Sequence, residues 1–123
     1  MSAVILHIDD DPVIRATVAG ILADEGHTVL SFSTIKETLA SLTTLLPDLV
    51  LLDIMVEEQD SDLLAYDLLA QKFPQVPAII LTSLGDMIQP YFVERKNLVE
   101  ILEKPVIPER LLHSVRTQLQ LKK

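Results

Sequence analysis

Four short clusters of side chains could act together on a phosphoryl group: Asp9-Asp10-Asp11, Asp53, Thr82-Ser83 and Lys104-Pro105. Carboxylates held close together in a low-dielectric crevice repel one another. A hard divalent cation relieves that repulsion, and carboxylate oxygens are its preferred ligands. Mg²⁺ keeps several waters and readily shares its shell with a phosphate. A carboxylate can also attack phosphorus itself, giving an aspartyl phosphate. The charge on the transferring group then needs donors, and the Thr82 hydroxyl and the Lys104 ammonium are of the right types. Taken singly, each feature has an ordinary explanation. An Asp run before a helix caps it, and an Asp after a strand turns the chain. Their occurrence together, each just after an apolar run, is what points to a site.

The elements that must position these residues can be read from the pattern of apolar side chains. Ala3 to Ile8 is an apolar run broken only by His7, and predicts a strand buried on both faces, with His7 a core histidine. Asp11-Pro12 starts a helix, with Ile14, Val18, Ile21 and Leu22 on one face and Gly26 as the stop. Thr28 to Phe32 is the second strand. Thr34 and Glu37 have capping-box spacing, and Ile35, Leu39, Leu42 and Leu46 are expected to line one face of a helix that Pro47-Asp48 ends. Leu49 to Asp53 is the third strand. A polar loop over Glu57 to Ser61 leads to a helix reaching about Phe73, with Leu64 and Leu68 facing inward. Ala78 to Thr82 is the fourth strand. Leu84 to Asn97 is read as a loop and a short helix, with Asn97 a left-handed cap. Leu98 to Leu102 is the fifth strand, and Pro108 opens a last helix whose Leu112, Val115 and Leu119 share a face. Five strands alternating with five helices predict an α/β fold, a parallel sheet with helices on both sides. Ligands of such sheets sit beyond the carboxyl ends of the strands, where all four clusters fall.

The bulk properties agree. A chain of 123 residues has the size of one domain, and a single domain over 1–123 is expected. Apolar residues make up 49% of the chain and aromatic ones 4%, so the core must be aliphatic. The net charge of −8 gives no electrostatic basis for holding nucleic acid directly. Without cysteine there is no thiolate chemistry, and His7, His27 and His113 have neither metal-ligand spacing nor an evident nucleophile partner. No apolar run approaches a membrane span and no signal peptide is evident, so a cytoplasmic protein is expected.

Ile8-Asp9-Asp10-Asp11-Pro12, Pro47-Asp48-Leu49-Val50-Leu51-Leu52-Asp53-Ile54-Met55, Leu81-Thr82-Ser83 and Glu103-Lys104-Pro105 closely resemble the response-regulator receiver family of two-component signalling. The resemblance covers essentially the whole chain. It implies a flavodoxin-like, doubly wound sheet of order 2-1-3-4-5, as in chemotaxis regulators. It also implies that Asp53 is the phospho-acceptor. Asp9 and Asp10 would be the acidic pair, with Asp10 the more direct Mg²⁺ ligand, and Met55 would offer its backbone carbonyl to the metal. Thr82 would be the switch hydroxyl, Lys104 would contact a phosphoryl oxygen, and the Lys104-Pro105 bond can be cis. A histidine kinase or phosphotransfer protein would be the donor. Self-phosphotransfer and slow hydrolysis of the aspartyl phosphate would be the only catalysis. A downstream protein partner is implied, with the fourth helix and fifth strand as the family's usual output surface.

Several positions depart from the family pattern. Glu57 and Ser61 stand where the family usually has Pro and Gly, and Ile101 where it often has an aromatic switch residue. Met55 and Leu84 fill the two positions that tune hydrolysis, and neither can hold a water by hydrogen bonding, so slow self-dephosphorylation is expected. The last helix lacks the charge pattern of the winged-helix transcription-factor subgroup, so a monomer or weak dimer is expected. An unphosphorylated receiver-like interaction module is the alternative. A small phosphatase with an aspartyl intermediate is disfavoured, because those families place a second Asp where Met55 stands.

Overall fold

The computed structural model describes residues 2–42, 44–54, 59–83, 90 and 97–121. Its five strands are β1 (Val4–Ile8), β2 (Thr28–Phe32), β3 (Leu49–Asp53), β4 (Ala78–Thr82) and β5 (Leu98–Glu103). They pair in parallel in the order β2-β1-β3-β4-β5. The helices among the described residues are α1 (Pro12–Ala23), α2 (Ile35–Ser41), α3 (Gln59–Lys72) and α4 (Pro108–Leu121). Most of the helix expected between Leu84 and Asn97 lies outside the described residues.

Continuous apolar runs form the inner strands because both faces of the sheet are covered. Leu6, Ile8, Val50, Leu52, Ala78 and Ile80 point to one face, where Tyr66 and Leu69 of α3, Phe73 just after it and Leu42 just after α2 meet them. The alternate residues Ile5, Leu49, Leu51, Ile79 and Leu81 point to the other, against Val18 and Leu22 of α1 and Leu111, Val115 and Leu119 of α4. The mainly aliphatic core, with Tyr66 and Phe73 as its aromatic members, and the doubly wound layering follow directly from this alternation.

The expected caps are present. Asp11 accepts the N–H groups of Val13 at 2.8 Å and Ile14 at 3.4 Å, with Pro12 opening α1. Beyond the other end of α1, Gly26 has φ of +89°, a conformation that favours glycine. Thr34 accepts the N–H of Glu37 at 3.1 Å, while Glu37 reaches back to the N–H of Ser33 at 3.2 Å.

Four expectations need correction. Helix α3 begins at Gln59, so Gln59 to Ser61, expected in the polar loop, are helical. Helix α2 stops at Ser41, and Leu46 is 60% exposed instead of extending the buried face. Pro47 disfavours helical geometry at the residue before it. On α3 the inward residues are Tyr66 and Leu69, with Phe73 buried just beyond it, and Leu68 is 38% exposed. Leu63-Leu64 and Leu68-Leu69 offer two apolar phases, and at the second pair the packed residue is one step later than expected; the side chain of Leu64 lies outside the described residues. Asn97 has no positive φ, so it is not a left-handed cap. Its side-chain amide instead donates to the Phe73 carbonyl at 3.2 Å, tying the start of β5 to the end of α3.

Candidate functional site

Strands β1 and β3 lie side by side at the centre of the sheet, and β2 leaves β1 on the opposite side from β3. This is the switch point at which a doubly wound sheet opens a crevice. Asp9 and Asp10 follow β1 there, and Asp53 ends β3. Parallel pairing also brings Thr82, at the end of β4, and Lys104, after β5, to the same edge. The N–H of Lys104 donates to the Thr82 carbonyl at 2.7 Å, which holds the β5 end against the β4 end. The Lys104-Pro105 bond is cis.

One carboxylate oxygen from each of Asp9, Asp10 and Asp53 lies within 4.8 Å of the others. The Lys104 ammonium enters this cluster. It donates to Asp53 Oδ1 at 2.7 Å and to Asp9 Oδ2 at 3.2 Å. The side chains of Asp9 and Asp53 are 0% and 7% exposed, whereas Asp10 faces solvent. Burial, with the charges of Asp9 and Asp10 adding to it, raises the Asp53 carboxyl above its ordinary range, against the opposing pull of Lys104. Burial works against the Lys104 ammonium, but its bonds and proximity to Asp53 and Asp9 prevail and raise its pKa. The two directions agree, because three carboxylates against one lysine leave the pocket net negative, and such a pocket favours bound protons or cations. Its all-oxygen donor set suits a hard divalent ion such as Mg²⁺.

Asp9 is fully engaged. Its N–H donates to the Phe32 carbonyl at 3.0 Å, and its Oδ1 accepts the Asp11 N–H at 2.9 Å. Its own carbonyl accepts Nη1 of Arg15 at 2.6 Å. Arg15 carries no motif signal; only its place one helical turn after Asp11 hints at its reach. His7 is buried as expected, with Nε2 3.9 Å from Asp9 Oδ2, too far for a hydrogen bond. Its ring nitrogens find no hydrogen-bond partner among the described residues, and burial, with Asp9 opposing, lowers its pKa to about 4.

The structure therefore brings Asp9, Asp10, Asp53 and Lys104 together and sets the fully buried Thr82 at the adjoining strand end. Met55, Glu57 and Leu84 lie outside the described residues, and Ser61 falls within α3. Ile101 is half-buried and packs against the α2–α3 half of the core. No helix among the described residues is long and apolar enough to cross a membrane.

Comparison with known proteins agrees with this arrangement. The chain is 29% identical over 126 aligned positions to the nitrogen assimilation regulatory protein NtrX of Azorhizobium caulinodans. The alignment covers 96% of the chain but only 28% of that protein. The crystal structure of the receiver domain of NtrX from Brucella abortus superposes with a TM-score of 0.81 at 30% identity, covering 94% of this chain and 98% of that one. A CheY-like receiver domain protein from Methanospirillum hungatei, 24% identical, has the same fold, with a TM-score of 0.85 over 99% of this chain and 97% of its own. The family model for the response regulator receiver domain matches residues 5–116, and the chain belongs to that family.

Proposed function

We propose that the chain is a phosphorylation-driven signalling switch that accepts a phosphoryl group on Asp53. The observation carrying this reading is the Lys104 ammonium bonded to both Asp53 and Asp9, inside a cluster of three carboxylates at the sheet's switch point. A carboxylate oxygen of Asp53 attacks phosphorus of a phosphohistidine or small acyl phosphate, and the donor's bond to phosphorus breaks. Lys104 exchanges its bond with Asp53 for one with a phosphoryl oxygen, so its charge follows the charge being transferred. Thr82 supplies a hydroxyl at the neighbouring strand end, and its reorientation toward the phosphoryl group carries the signal outward.

Asp9, Asp10 and Asp53 would hold Mg²⁺, with the Met55 carbonyl a further ligand. When bound, that ion neutralises the carboxylates and the phosphoryl oxygens. A histidine kinase or phosphotransfer protein is the proposed donor, an unidentified protein the downstream partner, and the cytoplasm the compartment. The direct test is intact mass after incubation with a small phosphodonor and Mg²⁺. One phosphoryl adduct, absent in Asp53→Ala, is expected. No adduct on the wild type would favour an interaction module that is not phosphorylated.

A further inference from the structure

We propose that Arg15 is a positioning residue for the acidic pair, holding the Asp9–Asp10 peptide so that Asp10 faces the cation site. The inference rests on the divalent-metal reading of the carboxylate cluster given above.

The carbonyl that Arg15 grips at 2.6 Å belongs to the peptide unit joining Asp9 to Asp10. Fixing that oxygen fixes the rotation of the peptide plane, because the unit is planar. The plane in turn sets the direction in which the Asp10 side chain leaves the backbone. Asp10 needs this help. Its neighbours are anchored, Asp9 through Phe32, Asp11 and Lys104, and Asp11 through the start of α1. The Asp10 carboxylate itself is exposed and accepts no hydrogen bond among the described residues.

Two further features separate this role from ordinary surface packing. The guanidinium bonds a neutral backbone oxygen. Arg15 also lies near the N-terminus of α1, the end where the helix dipole disfavours a cation. A cation that sits against the local field and grips a neutral oxygen is accounted for by what it holds.

The test uses the full chain, with Arg15→Met, which keeps length but removes donor and charge, and Arg15→Lys, which keeps charge and one donor. Mg²⁺ dissociation constants are measured by calorimetry, and the backbone amide shift of Asp10 is recorded without metal. Loss of a ligand-orienting partner weakens metal binding by about tenfold or more, the result expected for Arg15→Met. Arg15→Lys, lacking the fork, is expected to bind about threefold more weakly than wild type. Both should move the Asp10 amide resonance in the metal-free state. Charge alone predicts the opposite, since removing a cation beside a cation site tightens binding. Wild-type or tighter affinity in either variant, or an unmoved Asp10 amide, overturns the proposal. Should Arg15→Met fail to fold, Arg15→Lys decides by the same criteria. A wild-type chain that binds no Mg²⁺ overturns the metal reading, and the inference with it, a result distinct from a variant that binds as well as wild type.

Discussion

Asp53→Asn keeps the shape of the side chain and removes one negative charge from the pocket. With an effective dielectric of about 20, the attraction between Lys104 and Asp53 at 2.7 Å amounts to about 6 kcal/mol. Repulsion from Asp9 and Asp10, each with an oxygen within 4.8 Å, amounts to at least about 3.5 kcal/mol apiece. Attraction and repulsion therefore come close to cancelling, and the cost of burying the carboxylate decides the sign. Lys104 also keeps a partner in Asp9 at 3.2 Å after the substitution. The variant should be more stable than wild type in metal-free buffer at pH 7, by about 1–2 kcal/mol once solvent screening at the exposed rim is allowed for. For a chain of this size that is a rise of about 4–8 °C in Tm. The pH dependence follows from the raised Asp53 pKa, which burial drives first. An ionised acid with a raised folded pKa costs stability fully above that pKa, and the cost fades as pH falls toward the ordinary value of 3.8. The gap between variant and wild type should accordingly close on acidification. Thermal denaturation in a chelator, with Mg²⁺ added back, is the assay. Mg²⁺ should raise the midpoint of wild type more than that of the variant. A variant less stable than wild type at pH 7 without metal would refute the reasoning, since Lys104 would then outweigh repulsion and burial together.

Other outcomes follow from the same pocket and from its floor. Lys104→Met should have the opposite sign to Asp53→Asn: three carboxylates lose their one buried cation, and metal-free stability should fall by about 3 kcal/mol in urea titrations. His7→Val should raise stability at pH 7 by about 1–2 kcal/mol, because it removes two buried ring nitrogens that lack partners among the described residues. With the His7 pKa lowered from 6.5 to about 4 by burial, the unfolded chain takes up the ring proton first, so acidification from pH 6.5 toward 4 costs stability, up to about 3 kcal/mol. Urea midpoints at the two ends of that window should fall with pH in wild type and fall less in His7→Val. With Met55 and Leu84 at the positions that tune hydrolysis, the phosphorylated protein should persist for minutes or longer without a phosphatase; loss within seconds, followed by intact mass, would contradict this.

What could be read before folding depended on how local each signal was. Leu49 to Asp53 was legible because a strand covered on both faces needs an unbroken apolar run, and its ending in Asp marks the sheet edge. The Asp9–Asp10, Asp53, Thr82 and Lys104 cluster was legible because parallel topology sends every strand end to one side. Helix phase was harder on α3, where paired leucines left two faces equally apolar until Tyr66, Leu69 and Phe73 packed. Helix α2 ended at Ser41, and the apolar spacing through Leu46 conceals that Pro47 disfavours helical geometry at Leu46. Asn97 acts through a side-chain bond to the distant Phe73 carbonyl, and no local rule announces that. Arg15 was least visible, because its partner is a backbone oxygen and backbone oxygens leave no trace in a sequence.

The central claim is that Asp53 carries the phosphoryl group and that the acidic pair works with Mg²⁺. The most direct measurement is to treat the chain with a small acyl phosphate, trap the acyl phosphate product chemically, and locate the modified residue by peptide mass mapping, with Mg²⁺ and with a chelator. The account predicts a single modification at Asp53, formed with Mg²⁺ and nearly abolished by the chelator. Modification at Asp9 or Asp10 instead, or equal labelling of Asp53 without a divalent ion, would contradict it.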